Sequence, residues 1–165
     1  MRKRTRFLTH AAMIAALYAA LTHLQNLLLA GSASMAIQFR ASEALCVLAF
    51  FTPAAIPGLA IGCLVFNITF AGALTLDWVV GTLASLLAAV GMYLCRNNKF
   101  LRYPALLLPA AFNALLVGWE LAVYIGGGFW INALYVAIGE LAVMLTLGTA
   151  LYYLLRKRNL AQRIF

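Results

Sequence analysis

Long apolar runs separated by Pro, Gly, Asn or charged residues dominate the chain, and they predict helices near 8–30, 36–52, 53–71, 77–95, 103–125 and 130–155. A bilayer takes about 20 residues to cross, so 165 residues hold six such helices, short connections and no soluble catalytic domain. The ambiguous cut falls in FFTPAAIPG, where Pro53 and Pro57 either open a new helix or kink a longer one. Charge decides it. Arg2, Lys3, Arg4 and Arg6 open the chain, Arg96, Lys99 and Arg102 fill one connection, and Arg156, Lys157, Arg158 and Arg163 close it. Six spans put all three clusters on the cytoplasmic side, as the positive-inside rule asks, whereas merging the second and third helices sends two of them outside. The expected fold is all-α and polytopic: one domain over residues 1–165, six transmembrane helices, both termini in the cytoplasm.

Composition agrees. Hydrophobic residues make up 65% of the chain and charged residues 10%, with mean hydropathy +0.96, far from the soluble norm of about 25% charged. The net charge of +8 is therefore read as topology and not as nucleic-acid binding. The basic start resembles that of a signal peptide, but the apolar run behind it is too long and no convincing cleavage site follows, so residues 1–30 are expected to remain as a helix. Cys46, Cys63 and Cys95 are odd in number and widely spaced, which fits packing and not a disulfide or metal framework. His10 and His23 lack metal-ligand spacing. With no nucleophile–base pair, H-E-x-x-H motif or P-loop, the sequence points to no catalysis, metal or cofactor, and to no ATP hydrolysis of its own.

The chemistry is concentrated in a few acids. NALYVAIGELAV, starting at Asn132, reads as membrane helix until Glu140, and an ionisable group in hydrocarbon costs roughly 2.5–3.5 kcal/mol. In the expected topology Arg40, Glu43, Asp77, Glu120 and Glu140 all fall at the outer surface or in the outer half. At 1.5 Å per residue, Glu140 lies about 15 Å and Glu120 about 9 Å below their outer helix ends. These groups converge on an outward-facing cavity.

NALLVGWELAV, starting at Asn113, repeats the motif one helix earlier. Seven residues separate Asn113 from Glu120, nearly two turns, so they share a face; eight put Asn132 and Glu140 about 80° apart. The helices run antiparallel, so the likeness is local and not an inverted transporter repeat. Candidate substrate-binding residues are Glu140, Glu120, Asn132, Asn113, Glu43, Arg40 and Asn67, with Trp130 and Tyr124 as stacking partners. Each has a plainer role open to it. Arg40 and Glu43 are spaced for an i, i+3 ion pair, the asparagines suit helix–helix hydrogen bonds, and the aromatics suit an interfacial belt with Trp78 and Trp119. On the first helix Ala11, Ala15 and Ala19 form one small-residue ridge and Ala12, Ala16 and Ala20 another, either of which lets a helix approach closely.

IQFRASEALCVLAFFTPAAIPGLAIGCLVFN, LDWVVGTLASLLAA, NALLVGWELA and FWINALYVAIGELAV together resemble the queuosine-precursor transporter family over nearly the whole chain. Members are substrate-capture (S) components of energy-coupling-factor vitamin importers. The resemblance implies a six-helix component that binds a 7-deazaguanine from outside, such as queuine or its cyano or aminomethyl precursors. It also implies docking on a transmembrane coupling protein with two cytoplasmic ATPases, through the small-residue face of helix one. That would assign Ala11, Ala12, Ala15, Ala16 and Ala19 to docking. A guanine-like edge presents a ring N–H beside an exocyclic amine, which one carboxylate accepts as a pair. Glu140 or Glu120 suits that role, the other suits an aminomethyl ammonium, and Asn132 or Asn113 suits the purine carbonyl. Residues 32–39 are expected either to form part of an outer loop or lid or to begin the second helix. The rival readings are a proton- or cation-coupled carrier using Glu120 and Glu140, a non-transporting assembly subunit, and an S component for another vitamin-like heterocycle.

Overall fold

The computed structural model describes residues 2–29, 37–70, 75–157, 160 and 164. All six expected helices are present in order. They are α1 (Arg2–Leu28), a 3₁₀ helix (Ala41–Phe50), α2 (Ala55–Thr69), α3 (Asp77–Cys95), α4 (Lys99–Tyr124) and α5 (Phe129–Lys157). Four are long and apolar enough to cross a membrane: α3, α4, α5 and α1 from Lys3 to Leu28. The 3₁₀ helix and α2 are shorter apolar helices.

Pro53 does separate two helices. The Thr52 carbonyl accepts from the Ala55 N–H at 3.3 Å and opens α2, while Pro53 and Pro57 stand where no helical donor is needed. The element before the break differs from a regular helix over 36–52. Gln25 of α1 brackets its start, donating to the Phe39 carbonyl and accepting from the Ala41 N–H at 2.7 Å. Arg40 is thereby held extended (φ −103°, ψ 94°), and the helix begins only at Ala41. Ser42 to Phe50 are all buried. At about 2.0 Å per residue a ten-residue 3₁₀ helix advances roughly 20 Å, one-third further than an α-helix of that length. Of the expected outer segment 32–39, residues 32–36 lie outside the described residues; Gln38 is buried between exposed Ile37 and Phe39.

Small residues set the helix spacing. A Cβ on Gly58 would meet the Ala11 carbonyl oxygen at 2.8 Å, and one on Gly62 would meet the Ala15 carbonyl oxygen at 2.8 Å and the Tyr18 Cβ at 2.7 Å. The Ala11, Ala15, Ala19 ridge is therefore covered by α2, whereas Ala12, Ala16 and Ala20 are exposed. Gly118 of α4 makes the same kind of contact with the Ala133 backbone of α5, at 2.6 Å from the built Cβ. Between these two helices Gly126, Gly127 and Gly128 all take φ near +80 to +85°, which only glycine adopts cheaply. In α5 the helix widens to a π turn at Met144–Gly148, one turn past Glu140.

The two alanine ridges predict opposite responses to the same change. Ala15→Leu has no room and should cost about 1–3 kcal/mol in thermal or denaturant unfolding of the purified chain. Ala16→Leu, on the exposed ridge, should stay within about 0.5 kcal/mol of the parent.

Candidate functional site

One face of α1 organises the first half of the polar interior. Tyr18, Thr22 and Gln25 follow one another at four and three residues, one stripe of the helix, and each meets the segment around the 3₁₀ helix start. The Tyr18 hydroxyl donates to Glu43 Oε1, the Ser85 hydroxyl of α3 donates to the same oxygen at 3.1 Å, and the Cys46 thiol donates to Oε2 at 3.2 Å. Thr22 and Ser42 share a hydroxyl hydrogen bond of 2.7 Å. Glu43 is fully buried, and its carboxylate is thus met by three donors from three helices.

Arg40 does not use the i, i+3 geometry with Glu43. Its extended backbone turns it away from the helix it precedes, and its guanidinium pairs instead with Asp77 at the start of α3, Nη2 to Oδ2 at 3.1 Å. It also approaches the Cys63 sulfur at 3.8 Å and lies over the Phe66 ring, 5.8 Å from the centroid. Asn67 donates to the Asp77 carbonyl at 2.7 Å and ties α2 to the same corner. Gly81 leaves room for the Asp77 carboxylate and Asn67 to sit together there.

The second half has no such partners. Glu120 and Glu140 are each 1% exposed, and all four of their carboxylate oxygens lack a hydrogen bond. The same holds for the Asn113 amide nitrogen and for single oxygens of Asn67, Asp77 and Thr82. Glu120 lies within electrostatic reach of Asp77 and Arg40, and Glu140 within reach of Glu43 and Arg40. A buried polar atom without a partner costs about 1–3 kcal/mol, more for a charge. This set is strongly biased toward acceptors. It fits a ligand rich in N–H donors.

Depth separates the two glutamates. From the Gly118–Ala133 crossing, Glu120 lies two residues toward the glycine turn and Glu140 seven residues away from it. Nine residues of helix amount to roughly 13 Å along the bundle. The backbone of Gln38 crosses α5 against Gly139, so the segment leading to Arg40 covers the helix beside Glu140.

Of the residues expected from sequence, Glu140, Glu120, Asn113, Asn67, Arg40 and Glu43 are all buried in this interior. Asn132 is buried too, but its amide nitrogen donates to the Gly126 and Gly128 carbonyls at 2.8 and 3.1 Å and so fastens the glycine turn. Trp130 (78% exposed) and Tyr124 (46%) lie on the outer surface with Trp78 and Trp119. Asp77, expected in the outer half, joins the interior through Arg40, and Tyr18, Ser85, Thr82 and Phe66 join it without a motif of their own in the sequence. Among the described residues no group of acids, cysteines and histidines is arranged to hold a metal.

Comparison with curated proteins and with solved structures found no match. A family model, described as QueT transporter, matches residues 8–157. Since that match spans all but the ends, the chain belongs to the QueT transporter family.

Proposed function

We propose that this chain captures a 7-deazaguanine precursor of queuosine at the outer face of a bacterial cytoplasmic membrane and hands it to an energy-coupling-factor module for ATP-driven import. In this reading the bundle crosses the membrane six times, the glycine turn faces outward, and both termini face the cytoplasm with the basic clusters. ATP is hydrolysed by the module's two ATPases. The observation that carries the reading is the pair of buried, unpartnered carboxylates on α4 and α5 in a chain of the QueT transporter family.

The assignment follows from depth and donor count. Glu140, the deeper group, accepts the ring N–H and exocyclic amine of the guanine-like edge as a pair. Asn113, whose amide nitrogen is free to donate, meets the purine carbonyl, a role that Asn132 leaves to it by holding the turn. Glu120, near the mouth, faces the substituent on the five-membered ring. In queuine and the aminomethyl precursor that substituent carries an ammonium, and in queuine a further ring, which has to point toward the opening. A bicyclic base with a one-carbon amine arm, plus a hydrogen bond of about 2.9 Å at either end, has the order of length that separates the two glutamates. Arg40 and Glu43 hold the frame in which these groups sit. On the outside of α1, the exposed ridge of Ala12 and Ala16 is the face open to the coupling protein.

Equilibrium binding to the purified chain tests the capture step. Queuine and the aminomethyl precursor should bind, and Glu140→Gln should weaken both by about 2–4 kcal/mol, roughly 30- to 1,000-fold. Glu120→Gln should weaken the two cationic ligands and leave the cyano precursor within about twofold, since the nitrile brings no charge. Failure of every deazaguanine to bind would end the substrate assignment. Uptake that follows the proton gradient without any ATPase would point to the carrier instead. Ala16→Leu tests the docking face separately: it should abolish co-purification with the coupling module and leave deazaguanine affinity unchanged.

A further inference from the structure

At the opposite end of the bundle from the glycine turn, the start of α4 meets the end of α5. A cavity of about 120 Å³ lies there, lined by Lys99, Arg102, Tyr103, Tyr152 and Arg156. Three of its five lining residues are cations. Arg102 is fixed in place: it donates to the Arg96 carbonyl, and its Nη1 reaches the Tyr152 hydroxyl at 3.4 Å. Its Nε is buried and has no partner. Arg156 lies beside the hydroxyls of Tyr103 and Tyr152.

None of the chain's acidic side chains answers these charges. Its acidic side chains are Glu43, Asp77, Glu120 and Glu140. Asp77 is paired with Arg40, Glu43 is held by Tyr18, Ser85 and Cys46, and Glu120 and Glu140 belong to the other half of the bundle. An anion from another molecule would meet the cations. Arg guanidinium and Lys ammonium groups with tyrosine hydroxyls beside them are donors suited to a tetrahedral oxyanion. The rim says which kind. Phe100 (89% exposed) and Leu101 (49%) stand between Lys99 and Arg102 in sequence and offer apolar surface directly beside the cations. Basic pockets at the cytoplasmic ends of membrane helices bind anionic headgroups in just this setting.

We infer that this pocket binds the phosphate of an anionic phospholipid, with the acyl chains running past Phe100 and Leu101. Phosphate oxygens would accept from Arg102 Nε, Arg156, Lys99 and a tyrosine hydroxyl. The lipid would then bridge the start of α4 to the end of α5.

The test uses the delipidated full chain in a neutral detergent, with phosphatidylglycerol, phosphatidylcholine and water-soluble glycerol phosphate as probes. Native mass spectrometry should retain one phosphatidylglycerol at least tenfold more than phosphatidylcholine, and the thermal midpoint should rise with the former only. The double variant Lys99→Gln/Arg156→Gln should lose both effects and still bind deazaguanine as the parent does, which shows that it is folded. Lys3→Gln/Arg4→Gln, on the other basic cluster, should keep both effects. Equal retention of the two lipids, or equal loss in the Lys3/Arg4 variant, would overturn the site. A full thermal shift from glycerol phosphate alone would overturn the lipid as its ligand and leave a soluble phosphate in its place.

Discussion

A carboxylate inside an apolar bundle must be met by donors, and that requirement arranges this protein. Of the four acids, Glu43 is met by Tyr18, Ser85 and Cys46, and Asp77 by Arg40. These contacts run between α1, the 3₁₀ helix and α3, so they fasten three elements to one another as well as neutralising charge. A buried pair loses about 3–5 kcal/mol when one partner is removed, which makes the Arg40–Asp77 corner a strong constraint on where α3 begins. Among the described residues, Glu120 and Glu140 are the two whose carboxylates find no partner. In the proposed function, donors from a ligand complete them.

Close helix packing supplies the rigidity such a site needs. Gly58 and Gly62 bring α2 onto α1, and Gly118 brings α4 onto α5. In lipid there is no hydrophobic drive between helices, so this backbone approach and the buried hydrogen bonds carry the association. With α4 and α5 locked at Gly118 and Ala133, the depth of Glu120 relative to Glu140 is fixed by the helices themselves.

Much of this was legible in the sequence. The break at Pro53 followed from the positions of the basic clusters, and the shared face of Asn113 and Glu120 from a seven-residue spacing. The Arg40–Asp77 pair was not, because 37 residues separate the partners and only the fold brings them together. A donor for Glu43 was visible in principle, since Tyr18, Thr22 and Gln25 form one stripe of hydrogen-bonding side chains on α1. The two alanine ridges looked alike because lipid-facing and protein-facing surfaces of a membrane helix are equally apolar. The glycines at 58 and 62, one turn apart, were the signal that one ridge would be covered. For Asn132, the need of three consecutive positive-φ glycines for a hydrogen-bond partner was hidden until the turn was seen.

The most direct test of the central claim, that Glu140 accepts the donor edge of the base, removes the interaction from both sides. Binding of an aminomethyl deazaguanine and of its analogue without the exocyclic amine is measured on the parent and on Glu140→Gln. If Glu140 and the amine touch, the two deletions are coupled, and the second costs far less than the first, by about 1.5 kcal/mol or more for a bond to a charged group. Additive losses would contradict the account and place the base elsewhere in the bundle.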